Sequence, residues 1–288
     1  MIKKLNSNLI NQIAAGEVVD DPCSIVKELL ENSIDAKATS IELILFESGI
    51  SKIIVNDSGH GIPANEMENA FQRFATSKIK SLEDLSSIST LGFRGEALPS
   101  IASISEVKLS SFSNNIGNEL KVVFGKQEYL KPSSIENGTS IEISKIFHNV
   151  PARKKFLKSE SSEYRKILSL FKNVALCNFE INMKLINNGK TIYDFKSSNL
   201  ESRIISLYGK KIKNSLIDIK YNKDKYQISG YIGNLSLAKA TRGNQYLYVN
   251  GRHIKNVLIN TSIYNAYRTL LSRGEFPFFV LFLDLPTT

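Results

Sequence analysis

Two apolar runs, "ATSIELILF" (38–46) and "SKIIVND" (51–57), are separated only by "ESGI". A connection that short joins an antiparallel pair, because parallel strands need a crossover of about a dozen residues or more. The stretch just before them, "VKELLENSIDA" (26–36), has helical periodicity instead. Asp21-Pro22 supplies an N-cap and a proline at the first helical position, and the helix is expected to run to about Ile34. A helix feeding directly into a hairpin commits the chain to mixing helices with mostly antiparallel strands.

The rest of the chain continues that pattern. Short helices are expected over "ANEMENAFQRFA" (64–75) and, from Glu96, over "EALPSIASIS" (96–105). Between them, residues 76–95 are polar, rich in Ser and Gly, and weakly periodic; a segment of that length is read as a lid. Strands are expected around "EVKLSSF", "ELKVVFG" and "TSIEISKIF", then a helix over "SEYRKILSLFKNVALC" and a hairpin over "INMKLINNGKTIYDF". The polar break "KSSNLES" sets the expected domain boundary, with one domain over 1–197 and a second over 198–288. In the second domain, "SRIISLYG" reads as a helix, "YQISGYIG" and "NQYLYVNGRHI" as strands, "KNVLINTSIYNAYRTLLSRG" as a long helix and "FPFFVLFLDL" as a last strand. Both domains are therefore α+β.

Charge divides the same way. Residues 1–197 hold 24 Lys and Arg against 23 Asp and Glu, whereas residues 198–288 hold 13 against 5. A basic domain beside a neutral one fits a polyanion partner. A general lysine enrichment with many Ile and Asn residues fits equally well, so charge alone does not decide for nucleic acid. Cys23 and Cys177 lie far apart and make no disulfide framework, which fits a reducing compartment. No run reaches the ~18 apolar residues of a membrane span, and the opening residues lack a signal-peptide core. A cytoplasmic protein is expected.

Glu28, Asn32 and Asp35 fall on one side of the 26–36 helix, opposite Ile25, Val26, Leu29 and Leu30. That is what any solvated helix face looks like. The i, i+4 spacing of Glu28 and Asn32 also allows both to face one pocket, a carboxylate activating water and an amide oxygen ligating a hard cation. Periodicity leaves both readings open. "VNDSGHGIP" ends an apolar strand at Asp57, with Gly59 and Gly61 following. Such a carboxylate can accept from an exocyclic amine, and the glycines let backbone approach a flat ring. "LGFRGEALPSI" sets Gly92 and Gly95 around Arg94 just before a helix, a phosphate-binding arrangement. In "RFATSKI", Thr76, Ser77 and Lys78 follow a helix end and could reach phosphate oxygens or solvent alike. "NNGKTIY" is not a P-loop, since Lys184 stands where the earlier glycine is required. His60, His148 and His253 have no metal-site spacing.

Taken together, "NQIAAGEVVDDPCSIVKELLENSIDA", "NDSGHGI", "FATSKI", "LGFRGEALPSIASI", "NGTSIEI" and "FHNVPARKKFL" resemble the amino-terminal region of the MutL family of DNA mismatch repair proteins. The likeness is dense through Leu157 and continues more thinly to the end, with "YLYVNGRHI" a further anchor. The Asp-x-Gly-x-Gly element alone marks only the wider GHKL superfamily of gyrase, heat-shock chaperones and histidine kinases. The resemblance implies a helix-over-antiparallel-sheet ATPase domain, followed by a smaller α+β domain similar to one found in a ribosomal protein. It implies Glu28 as general base, Asn32 as a magnesium ligand, Asp57 reading the adenine amine, and Gly61 and Thr139 on the adenine side. It further implies Thr76, Ser77 and Lys78 in the lid, and the backbone of Gly92, Phe93, Arg94, Gly95 and Glu96 around the phosphates of ATP. Arg153, Lys154, Lys155, Arg242, Arg252 and Lys255 are the expected DNA-backbone contacts.

The expected activity is slow, magnesium-dependent ATP hydrolysis. ATP would order the lid and drive dimerisation of amino-terminal halves into a DNA-embracing clamp that works with a mismatch-recognition protein of the MutS type. Members of this family continue into a loop whose lysine reaches the γ-phosphate. The chain ends at "LDLPTT", so the expectation is a fragment with weak hydrolysis and without the carboxy-terminal dimerisation region or any nuclease site. Two other readings compete: a non-enzymatic DNA-binding adaptor with a vestigial nucleotide site, and another GHKL-type ATPase such as a topoisomerase subunit or chaperone. The wording of "GFRGEAL" speaks against the last.

Overall fold

A computed structural model describes residues 15, 16, 18–79, 81, 84 and 90–286. The chain divides into two compact units, Met1–Phe171 with Ile181–Lys196, and Lys172–Glu180 with Ser197–Thr288.

In the first unit, helix α1 (Pro22–Asp35) starts where the sequence expects. Asp21 accepts from the Ser24 N–H at 2.8 Å, Pro22 occupies the first turn, and Ala36 closes the far end onto Asn32 O and Ile34 O. Burial alone would push the Asp21 carboxyl up, but the Lys166 ammonium and the Ser24 donors hold it below the ordinary aspartate range. Ile25, Val26, Leu29 and Leu30 are buried, each contributing roughly 1.5–3 kcal/mol of hydrophobic stabilisation.

The sheet that α1 covers has eight strands: β1 (Ser40–Phe46), β2 (Lys52–Asp57), β3 (Glu106–Ser113), β4 (Ile116–Val123), β5 (Lys126–Pro132), β6 (Thr139–Ser144), β7 (Asn182–Asn187) and β8 (Lys190–Phe195). Their order is β5-β4-β3-β6-β2-β1-β7-β8, antiparallel throughout except where β1 meets β7. Ile41, Leu43, Leu45, Ile53 and Val55 are buried on the helix side, while Glu42 and Asn56 alternate onto the other face.

Further helices described in this unit are α2 (Ala64–Met67), α3 (Ala97–Ser103), α4 (Pro151–Phe156) and α5 (Glu160–Cys177), the last crossing the division at Phe171. The helix expected over 64–75 is a single turn followed by a 3-10 turn, Asn69–Phe71, and Phe74 takes a positive φ of 63°. Asn65 and Asn69 are poor helix formers there.

The second unit has a five-stranded sheet of order β12-β11-β13-β10-β9. Its strands are β9 (Leu216–Lys223), β10 (Tyr226–Gly233), β11 (Gln245–Val249), β12 (Arg252–His253) and β13 (Phe279–Asp284), with helices α6 (Leu200–Tyr208) and α7 (Val257–Tyr267). Again one pair, β11 with β13, is parallel. The helix expected over 255–274 is only 11 residues long. It starts at the Asn256 cap and gives way to turns in which Leu270 N–H and Leu271 N–H both bond to Tyr267 O. Asn260, Thr261 and Asn265 give it weak intrinsic support. Buried Arg203 on α6 donates to Ala175 O and Phe179 O, both at 2.8 Å, and burial pulls its guanidinium down to about 10. Among the described residues, no helix is long and apolar enough to cross a membrane.

Candidate functional site

Asp57 ends β2 on the helix-covered face, and its surroundings are built by residues from four segments. Its Oδ2 accepts from the Ser33 hydroxyl on α1 at 2.8 Å, and its Oδ1 accepts from the Gly59 N–H at 2.9 Å. Across the ladder its partner is Thr139, whose buried hydroxyl lies 3.3 Å from that of Ser111. Ser111 Oγ in turn accepts from the Ile62 N–H at 2.7 Å. Desolvation pushes the Asp57 carboxyl above the ordinary range, against the opposing pull of Gly59, Ser33, His60 and the Thr139 backbone.

Glycine is required at two places here. Gly61 has φ +72°, and a side chain on it would run into the Phe112 carbonyl. Gly138, at φ +61°, packs in the same way on the Asp57 carbonyl. Both glycines let neighbouring backbone pack closely beside Asp57.

Glu28 and Asn32 lie one turn apart on α1, both half-buried. Glu28 is half-buried, and its Oε1 is 3.1 Å from Lys27 Nζ, which also holds Glu31 Oε2 at 3.0 Å. Burial pulls the Lys27 ammonium down, but Glu28 and Glu31 outweigh it and carry it above its ordinary value. Asn32 Oδ1 accepts from Lys78 Nζ at 2.9 Å, and the same ammonium lies 2.6 Å from Asp35 Oδ2. The Asp35 carboxylate also accepts from the N–H groups of Leu91 and Gly92 at 2.9 and 3.1 Å. Lys78 and Gly92, assigned to the lid and the phosphate loop, therefore meet at the foot of α1.

The remaining candidates are placed as follows. Thr76 Oγ1 accepts from the Lys78 N–H at 3.2 Å, and Ser77 is exposed. Phe93 is half-buried under the exposed Arg94 guanidinium, 5.7 Å from its ring centroid. Gly95 has φ +62° and its carbonyl accepts from the Phe74 N–H. Glu96 is the residue preceding α3, and its carbonyl accepts from the Ser100 N–H. Residues 80, 82, 83 and 85–89 of the expected lid lie outside the described residues.

Of the expected DNA contacts, Lys154, Lys155, Arg242, Arg252 and Lys255 are exposed. Arg153 is placed differently. Its guanidinium is turned onto Gly16, and its Nη1 is shielded from solvent without a hydrogen-bond partner among the described residues. Arg153 is half-buried, whereas Lys154 and Lys155 are exposed.

Ser33, Asp35, Ser111 and Gly138 are site residues that the motif reading left unassigned. Two carried a signal. Ser33 is a polar residue in register with Val26, Leu29 and Leu30, and Ser111 is one in alternation with Val107 and Leu109. A polar group on an apolar face has to find a partner.

An open depression of about 380 Å³ lies on the other side of the sheet, lined mainly by residues such as Glu42, Asn56, Lys184, Asp194 and Lys196. Glu42 is paired with Asn56 and with Lys184 across the ladders, so these side chains share the polar face opposite α1. Asp57 and Ser58 also line it at the end of β2, whereas Glu28, Asn32 and Lys78 do not.

Two family models match the chain. One, described as "Histidine kinase-, DNA gyrase B-, and HSP90-like ATPase", matches residues 21–153. The other, described as "DNA mismatch repair protein, C-terminal domain", matches residues 204–288. The DNA mismatch repair protein MutL of Clostridium acetobutylicum is 44% identical over 287 residues, covering 99% of this chain and 46% of that protein. The chain belongs to the MutL family. It corresponds to the MutL amino-terminal region and carries the family's GHKL-type ATPase domain. A crystal structure titled as the N-terminal domain of a DNA repair protein superposes with a TM-score of 0.82 at 27% identity, covering 96% of this chain and 87% of that one. The Aquifex aeolicus MutL ATPase domain complexed with ADP has a TM-score of 0.69 at 28% identity, with 94% of each chain covered. The chain spans less than half the length of the curated MutL relatives it matches.

Proposed function

We propose that this chain is the ATP-binding and ATP-hydrolysing part of a mismatch repair protein, and that ATP binding switches it into a clamp on DNA. In this reading Glu28 takes the proton of the attacking water, Asp57 accepts from the adenine amine, and Thr139 and Gly61 bound the adenine side. Backbone N–H groups from Phe93 to Glu96 hold the phosphates, the Gly92 N–H being given to Asp35. Hydrolysis in such a site rests mainly on positioning and charge neutralisation.

The observation that carries the reading is the contact between Lys78 Nζ and Asn32 Oδ1 at 2.9 Å. The amide oxygen one turn from Glu28 already faces a cation. An amide oxygen with the Asp35 carboxylate beside it is a small set of hard oxygen donors, which fits magnesium. That ion usually keeps water and substrate phosphate as its other ligands. Asn32 would hold it, and once bound it would neutralise charge on the phosphates.

Phosphate contacts by Thr76, Ser77 and Lys78 would offset the entropy of ordering the lid. Lid ordering would then drive homodimerisation of amino-terminal halves around DNA, in answer to a mismatch-recognition protein of the MutS type. Lys154, Lys155, Arg242, Arg252 and Lys255 would touch phosphates, positioning the protein without reading sequence.

The test is ATP binding and turnover by the full chain, with and without duplex DNA. Magnesium-dependent binding and slow turnover are expected. If each of the five cations neutralises one phosphate, the log–log salt slope is about −4.5, and affinity for DNA drops roughly 500-fold between about 50 and 200 mM salt. A chain that binds DNA but no ATP is the vestigial adaptor instead.

A further inference from the structure

The Asp35 carboxylate organises the foot of α1. Its side chain is 7% exposed. One oxygen receives the Leu91 N–H, and the other receives the Gly92 N–H and the Lys78 ammonium. Lys78 Nζ thus stands between Asp35 Oδ2 at 2.6 Å and Asn32 Oδ1 at 2.9 Å.

We propose that Asp35 is a positioning residue that parks the Lys78 ammonium on Asn32 Oδ1 in the nucleotide-free chain, and that this ammonium and magnesium compete for that oxygen. The inference rests on the assignment of Asn32 as the metal ligand made under Proposed function.

The physical argument is electrostatic. An amide oxygen has two lone pairs. A magnesium ion at about 2.1 Å and an ammonium at 2.9 Å from the same atom would still be two cations within a few ångströms of each other, in a half-buried place where screening is weak. One must leave. Asp35 stays, because the Leu91 and Gly92 N–H groups fix it. The ammonium can therefore release Asn32 while keeping Asp35, a pivot of one side chain that frees it for phosphate. The resting contact also keeps the Asn32 oxygen satisfied and aimed before any metal arrives.

Two measurements on the full chain test this. The first is reductive methylation with isotopic formaldehyde, read by mass spectrometry for Lys78 against the exposed Lys37. Without nucleotide, Lys78 should react about tenfold more slowly, the equivalent of one charge-assisted hydrogen bond. In Asp35→Asn it should react at the Lys37 rate. The second is ADP affinity in magnesium against ADP affinity in EDTA. In Lys78→Met the magnesium-to-EDTA ratio should rise about tenfold over the wild type, because no ammonium has to be displaced. Dividing by the EDTA value removes any direct contact between Lys78 and phosphate.

Unprotected Lys78 in the wild type would overturn the proposal. So would an unchanged or smaller ratio in Lys78→Met, with unfolding of the unliganded variant like that of the wild type. A wild type that binds no ADP in either condition overturns the nucleotide reading itself, and the exchange with it, while the methylation rates still report the resting contact.

Discussion

Glu28→Ala is expected to lower single-turnover ATP hydrolysis by about 10²- to 10⁴-fold, the usual worth of a positioned general base. Magnesium-dependent nucleotide binding should stay within about tenfold, because the carboxylate acts on the water and not on the phosphates or the adenine. The half-buried carboxylate starts out bonded to Lys27, which also holds Glu31, so that contact has to be given up before it can serve a water. Glu28→Gln should match the alanine variant in rate, since it keeps the shape and loses the base. Turnover that survives both substitutions would remove Glu28 from the mechanism. Loss of binding together with rate would make it a structural residue of α1.

The second large effect is on stability and lies far from that chemistry. Arg203→Ala should cost about 3–5 kcal/mol, read from denaturant unfolding of the full chain. The guanidinium, 1% exposed, is the donor to Ala175 O and Phe179 O, and its removal leaves a cavity and two carbonyls short of a donor. Arg203→Met restores much of the volume but neither hydrogen bond, so it should recover only the packing part of the loss. The arginine stays cationic at neutral pH even with burial pulling it down to about 10, so the deficit should be flat across the neutral range. Equal unfolding of wild type and Arg203→Ala would mean that those carbonyls find other donors at no cost.

The interior was readable from the sequence where faces alternate cleanly. Ile41, Leu43 and Leu45 against Glu42, and Ile53 and Val55 against Asn56, gave away both strands and the side that α1 covers. The strands that escaped notice, β5 and β9, are the sheet edges. Of these, β9 alternates Ile217, Ile219 and Tyr221 with Asp218 and Lys220 and was legible but unread. Natural edge strands carry charge to discourage further pairing, and Lys126, Glu128 and Lys131 break the apolar alternation of β5. The α7 overestimate has the same kind of cause, since an apolar pattern running to Leu271 outlasts a helix that its own polar residues support weakly.

At the proposed site, motif likeness singled out Glu28, Asn32 and Asp57 and was silent on the contacts around them. Ser33 under Asp57, Ser111 under Thr139 and Asp35 under Lys78 are contacts between segments 24 to 57 residues apart at most. Periodicity flags the first two as polar groups on buried faces, but no pattern in the chain says which partner each will find.

The most direct test of the account is a crystal structure of the chain with magnesium and a non-hydrolysable ATP analogue. The prediction is Asn32 Oδ1 about 2.1 Å from the metal and a Glu28 carboxylate oxygen within about 3 Å of a water in line with the γ-phosphate. The Asp57 carboxylate should accept from the adenine amine. A nucleotide seated elsewhere, for instance in the polar depression beside Glu42 and Lys184, with Glu28 still bonded to Lys27, would contradict it.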